Sequence, residues 1–191
     1  MQAVKTNMTR SLFIAGLGLG LAASGLAAPA PALRDLDGAL QQPLASGASR
    51  GVVLLFFADD CPISNSYAPE IGRLAARFAG QNIKFMLVNT DTHVSAAEVK
   101  KHGQEYGLRG PTLLDPTHAL AKYVRATATP EAVVYAPDGT LVYRGRIDNR
   151  YVDFGKARPQ ATTHDLRAAL DAFLAHKPVP QRETKAVGCY I

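Results

Sequence analysis

Two cysteines occur in the 191 residues, in different settings. Cys61 stands in FFADDCPISNSY, directly after the apolar run VVLLFF; Cys189 stands in AVGCYI, near the end of the sequence. A sulfur between a buried strand and a helix N-terminus faces the positive end of the helix dipole and unpaired N–H groups. That setting lowers a thiol pKa and supplies thiolate near neutral pH, so Cys61 is a candidate nucleophile. Asp59 and Asp60 oppose this if their carboxylates point at the sulfur. Pro62 suits the first helical turn, having no N–H to lose. Ser64 can cap the helix or hydrogen-bond the thiolate.

The elements that must hold Cys61 follow from periodicity. Gly51 to Phe57 is a continuous apolar run of strand length, as expected for a strand covered on both faces. Residues 64–78 have helical spacing, with Ile71, Leu74, Ala75 and Phe78 as the apolar stripe. Residues 83–88 form a further strand, and Ser95 with Glu98 is a capping box opening a helix to about Tyr106. Residues 132–135 and 140–143 flank APDG and predict an antiparallel hairpin. Residues 163–176 predict a closing amphipathic helix through Leu166, Leu170 and Phe173. A βαβα start followed by ββα predicts an α/β sandwich around a mixed sheet.

Composition removes some function classes. Of the formal charge of +5, Lys5 and Arg10 supply two, and the remaining charge is too mild and scattered for a nucleic-acid surface. MQAVKTNMTR, SLFIAGLGLGLAA and SGLAAPA read as the basic, apolar and small-residue parts of a secretory signal, residues 1–27. The apolar part is shorter than the ~20 residues of a membrane span, and no such run occurs elsewhere. Export to the periplasm or the cell exterior is therefore expected, where thiols form disulfides. Residues 28–178 are expected as one domain and 179–191 as a flexible tail carrying Cys189.

From Leu33 to about Lys177 the chain resembles thioredoxin-fold redoxins of the AhpC/TSA type and exported thiol–disulfide oxidoreductases. VVLLFF before the cysteine, Pro69 in the following helix, Thr129-Pro130 directly before a strand, and the hairpin VVYAPDGTLVYRG carry the likeness. CPIS, RGRID, YVDFGK and a C-terminal GCxI resemble one redoxin subgroup. The resemblance implies a thioredoxin-like sandwich, a cis Pro130 against Cys61, and a groove built by Pro62, Thr129 and Pro130 in which a partner's extended backbone pairs.

Departures from the family's patterns steer the chemistry. Ser64 stands where thioredoxins carry their second cysteine, so fast intramolecular release is missing there. The proline and threonine that precede the peroxidatic cysteine are absent, and Pro130 occupies the place of the peroxidase arginine, with Arg125 the nearest substitute. Cys189 is the candidate resolving cysteine, within one chain or across a homodimer; a structural disulfide and an unpaired thiol are the alternatives. Copper handling by Cys61, Cys189 and a histidine competes with these readings. Of the histidines His93, His102, His118, His164 and His176, His102 and His176 are expected in solvated settings, while His93 and His164 are better placed but expected to be structural. No metal or cofactor is expected. The partners expected are protein or small-molecule thiols and disulfides with an external thiol reductant; a thiol peroxidase is the alternative enzyme. Residues 144–166 are expected to line the groove beside Pro130.

Overall fold

The computed structural model describes residue 2 and residues 29–191. The signal reading of residues 1–27 therefore falls, Gln2 apart, outside the described residues. GVVLLFF forms β3 (Gly51–Phe57), preceded by a short antiparallel pair, β1 (Leu33–Asp35) and β2 (Leu40–Gln41). Then follow α1 (Pro62–Phe78), β4 (Ile83–Asn89), α2 (Ala96–Tyr106), β5 (Thr112–Leu114) and α3 (Ala119–Val124). The chain continues through β6 (Ala128–Thr129), β7 (Glu131–Tyr135), β8 (Leu141–Gly145), β9 (Tyr151–Asp153), β10 (Lys156–Ala157), α4 (Asp165–Leu174) and β11 (Cys189–Tyr190).

Seven strands form one sheet in the order β2-β1-β5-β4-β3-β7-β8. β3 runs parallel to β4 and β4 to β5, while β7 and β8 join antiparallel, so the sheet is mixed as expected. Every residue of β3 is buried because its side chains alternate between two cores. Val53, Leu55 and Phe57 pack with Ile71 and Leu74 of α1 and with Leu166 and Leu170 of α4. Val52, Leu54 and Phe56 pack on the opposite face with Leu120, Ala121 and Val124 of α3. Burial of each such large side chain contributes roughly 1.5–3 kcal/mol. Together these elements make a thioredoxin-like α/β sandwich.

The capping box at Ser95 and Glu98 is present in both directions. α1 starts earlier than its apolar stripe suggests, at Pro62, because Cys61 itself is the N-cap. No helix among the described residues is long and apolar enough to cross a membrane.

The last segment is pinned at several points. Thr184 N donates to Arg144 O at 3.0 Å and Arg144 N to Arg182 O at 2.9 Å, and Arg144 pairs with Glu183 at 2.9 Å. At Gly145 (φ +142°) an added Cβ would overlap Thr184, so glycine makes room for the segment. β11 then pairs antiparallel with β6, Cys189 opposite Thr129 and Tyr190 opposite Ala128. Ile191 packs against the α3-side core, whereas Tyr190 is 94% exposed.

Candidate active site

The site is built where β3 ends. Cys61 is fully buried and N-caps α1, its Sγ accepting from Ser64 N at 3.4 Å. Its S–H donates to Thr129 O at 3.1 Å. The Thr129-Pro130 peptide is cis, which sets Thr129 against the sulfur. The hydroxyls of Ser64 and Thr129 are buried and have no partner of their own, so each keeps an O–H for a thiolate. Pro62 opens α1 as an exposed residue.

β6 sets the second wall. Glu131, buried, accepts from Thr127 N at 2.7 Å and Ala128 N at 3.1 Å, fixing the backbone ahead of the proline. The free side of β6 is taken by β11, and at Gly188 an added Cβ would overlap the Thr129 carbonyl. Glycine is the one residue type that lets β11 approach so closely. This register brings Cys189 beside Cys61 as two free thiols.

The two thiols differ in chemistry. Burial raises the pKa of Cys61, but the Cys189 thiol, the N–H and hydroxyl of Ser64, and Thr129 outweigh it and hold Cys61 below the ordinary thiol value. Cys189 is pushed up to about 12 by burial, by the neighbouring Cys61 and by the charges of Asp60 and Asp91. Of the two sulfurs, Cys61 is therefore the one whose ionisation the surroundings favour, and Cys189 the one they oppose.

The carboxylate of Asp59 is tied away from the Cys61 sulfur, and that of Asp60 acts on Cys189. Asp59 Oδ1 accepts from Asn89 Nδ2 at 2.8 Å and faces His102 Nδ1 at 3.3 Å, while its N–H donates to Asp91 Oδ2 at 2.6 Å. Burial, partly offset by His102 and reinforced by Asp91, raises the Asp59 carboxyl to about 6. Asn65 Nδ2 donates to Asp59 O at 2.9 Å and its Oδ1 meets His102 Nε2 at 2.9 Å. His102, expected to be solvated, is thus enclosed, stacked between Phe57 and Tyr106. Sequence reasoning missed Asn65, Asn89 and His102 as one network, because nothing local in residues so far apart signals their meeting.

A cleft of ≈ 250 Å³ opens beside this centre, lined by Asp60, Thr90, Asp91, His118, Cys189 and Tyr190 among others; Cys61 is not on its wall. Residues 144–166 do not line it either. Their polar groups instead brace α1, Tyr67 Oη donating to Asp148 at 2.6 Å and Tyr151 Oη to Ser66 at 2.9 Å, and hold the last segment through Arg144 and Arg146. Arg125 is exposed at the C-terminus of α3, where its charge acts on Tyr135. Among the described residues, the cluster able to offer three metal-ligand atoms is Glu70, Asp148 and His164, and it contains neither cysteine.

The chain matches the AhpC/TSA family over residues 25–144. None of the curated proteins matches it. Among solved structures it is similar to an uncharacterized conserved protein from Geobacillus kaustophilus, at 29% identity and TM-score 0.72, over 85% of this chain and 89% of that one. A hypothetical protein from Sinorhizobium meliloti 1021 is similar at 28% identity and TM-score 0.72, over 84% and 88%. A putative thiol:disulfide interchange protein DsbE from Chlorobium tepidum shares the fold, at 19% identity and TM-score 0.60, over 77% and 94%. With the family motif spanning the strand, the cysteine and the cis-proline, the chain belongs to the AhpC/TSA family.

Proposed function

We propose that the protein is an exported thiol–disulfide oxidoreductase whose redox pair is Cys61 and Cys189. The observation that carries this reading is the pairing of β11 on β6, with Cys189 opposite Thr129 and so beside Cys61. Cys61 is the thiolate of the pair and Cys189 its thiol partner. The pair supplies what Ser64 cannot, a second sulfur able to take up or release a mixed disulfide within one chain. Passing two electrons to an acceptor disulfide converts the dithiol to the Cys61–Cys189 disulfide. The Cys189 proton and one proton from water, Cys61 having entered as thiolate, convert the two departing thiolates to thiols.

Turnover tests the reading. With a thiol reductant and a small disulfide, the protein should accelerate exchange well above the uncatalysed rate, and Cys61→Ser and Cys189→Ser should each abolish the acceleration. Rates equal to uncatalysed exchange, or full activity in Cys189→Ser, would contradict it. Rapid consumption of micromolar peroxide with thiol turnover would assign the thiol peroxidase reaction of the family to this site instead.

A further inference from the structure

The groove that a peptide substrate would use is already full. β11 occupies the free side of β6, its backbone hydrogen-bonded where a partner strand would pair, and Ile191 N reaches Thr127 O at 3.1 Å. Gly188 lies flush on the Thr129 carbonyl, leaving no gap for another chain. Cys61 is 0% exposed beneath this cover. Cys189, by contrast, is half-buried and forms part of the wall of the ≈ 250 Å³ cleft. The reachable sulfur of the pair is the one carried by β11.

We infer that the site serves small thiols and disulfides, not polypeptides, and that a substrate thiol meets the oxidised protein at Cys189, with Cys61 as the leaving thiolate. This rests on the Cys61–Cys189 pair proposed above and reverses the order in which Cys61 meets the substrate first. The incoming thiolate, RS⁻, attacks Cys189 Sγ. The Cys61–Cys189 bond breaks, its electron pair stays on Cys61, and Cys189 carries the mixed disulfide to R. A second RS⁻ attacks the sulfur of R; RSSR leaves and Cys189 takes a proton from water. Exchange is faster when the leaving thiol has the lower pKa and when the attacked sulfur is accessible, and both conditions favour this order.

The cleft also sets a charge preference. Asp60 and Asp91 line it; of the other titratable side chains on that wall besides Cys189, His118 has its Nε2 engaged with Thr90 O at 2.9 Å and Tyr190 is a phenol. Two carboxylates beside the attacked sulfur repel an anionic thiol and attract a cationic one.

The test uses the full chain, mildly oxidised, reduced by cysteamine, mercaptoethanol and mercaptopropionate at equal thiolate concentration, and by a reduced unfolded polypeptide. Cysteamine should outpace mercaptopropionate by about tenfold at low ionic strength, the ratio shrinking in concentrated salt and in Asp60→Asn. The polypeptide should be slower than any small thiol. Peptide mapping of the quenched mixed disulfide should find the adduct on Cys189. An adduct on Cys61, rates blind to charge, or a polypeptide as fast as mercaptoethanol overturns this inference while leaving the redox pair standing. Failure of the oxidised protein to form the Cys61–Cys189 disulfide overturns both.

Discussion

The loop carrying Cys61 and the segment carrying Cys189 hold their sulfurs in opposite ways. In the loop, Asp59 alone is tied to Asn65, Asn89, Asp91 and His102, and Cys61 caps a helix of 17 residues. In the segment, Cys189 sits in a two-residue strand, and its placement depends on Gly145 and Gly188, which leave space for it. One sulfur is fixed by the fold; the other is docked onto it. In the redox pair proposed above, the fixed sulfur would hold the stabilised negative charge and the docked one would govern when the bond closes.

Removing either partner should have the largest effect on that division. Cys61→Ser or Cys189→Ser should lower internal two-electron oxidation by more than about a hundredfold, because no second sulfur lies within reach. Thiol counting after treatment with one equivalent of oxidant checks this.

Undocking the segment without touching sulfur should come next. In Gly188→Val the side chain overlaps the Thr129 carbonyl, so β11 must lift. Internal disulfide formation should slow about tenfold and alkylation of Cys61 by iodoacetamide should speed up by a similar factor. Unchanged rates for both would show that β11 does not cover Cys61.

Disturbing the loop should appear as stability. Asn89→Ala removes the amide donor to the Asp59 carboxylate, leaving it His102 alone, and the acceptor of the Asp91 N–H, a loss of about 1–3 kcal/mol. Removing the Arg144–Glu183 ion pair of the segment by Glu183→Ala should cost less than about 1 kcal/mol, because Glu183 is exposed. Urea unfolding compares the two.

A further effect of the loop concerns pH. The Asp59 carboxyl, raised from 3.8 to about 6 mainly by burial, disfavours folding when ionised. This penalty is present in full above about 6 and fades as pH falls towards 3.8. Asp59→Asn should therefore stabilise the protein near neutral pH, by about 1 kcal/mol once solvent screening of this half-buried group is allowed for, and by almost nothing near 3.8.

The difference between loop and segment also governs what can be read in the amino-acid sequence. β3 is legible because seven consecutive buried residues leave an unbroken apolar run, and α2 because its capping box is local. The Thr129-Pro130 bond is legible through resemblance, as is the place of Cys61 at the start of α1. β11 is not. Its two residues carry no period, KPVPQRETK looks solvated, and the reason for its order lies in Gly145 and Gly188 meeting residues remote in the chain. The polar network around Asp59 is illegible for the same reason: Asn65, Asn89 and His102 come together through the packing of α1, β4 and α2, not through any motif.

The most direct test of the redox pair is non-reducing peptide mapping of the full chain after stoichiometric oxidation at high dilution. The account predicts a single cross-linked peptide joining Cys61 to Cys189 in a monomeric chain, with no free thiol left. Cys61 oxidised alone with Cys189 still free, or cross-links only between chains, would contradict it.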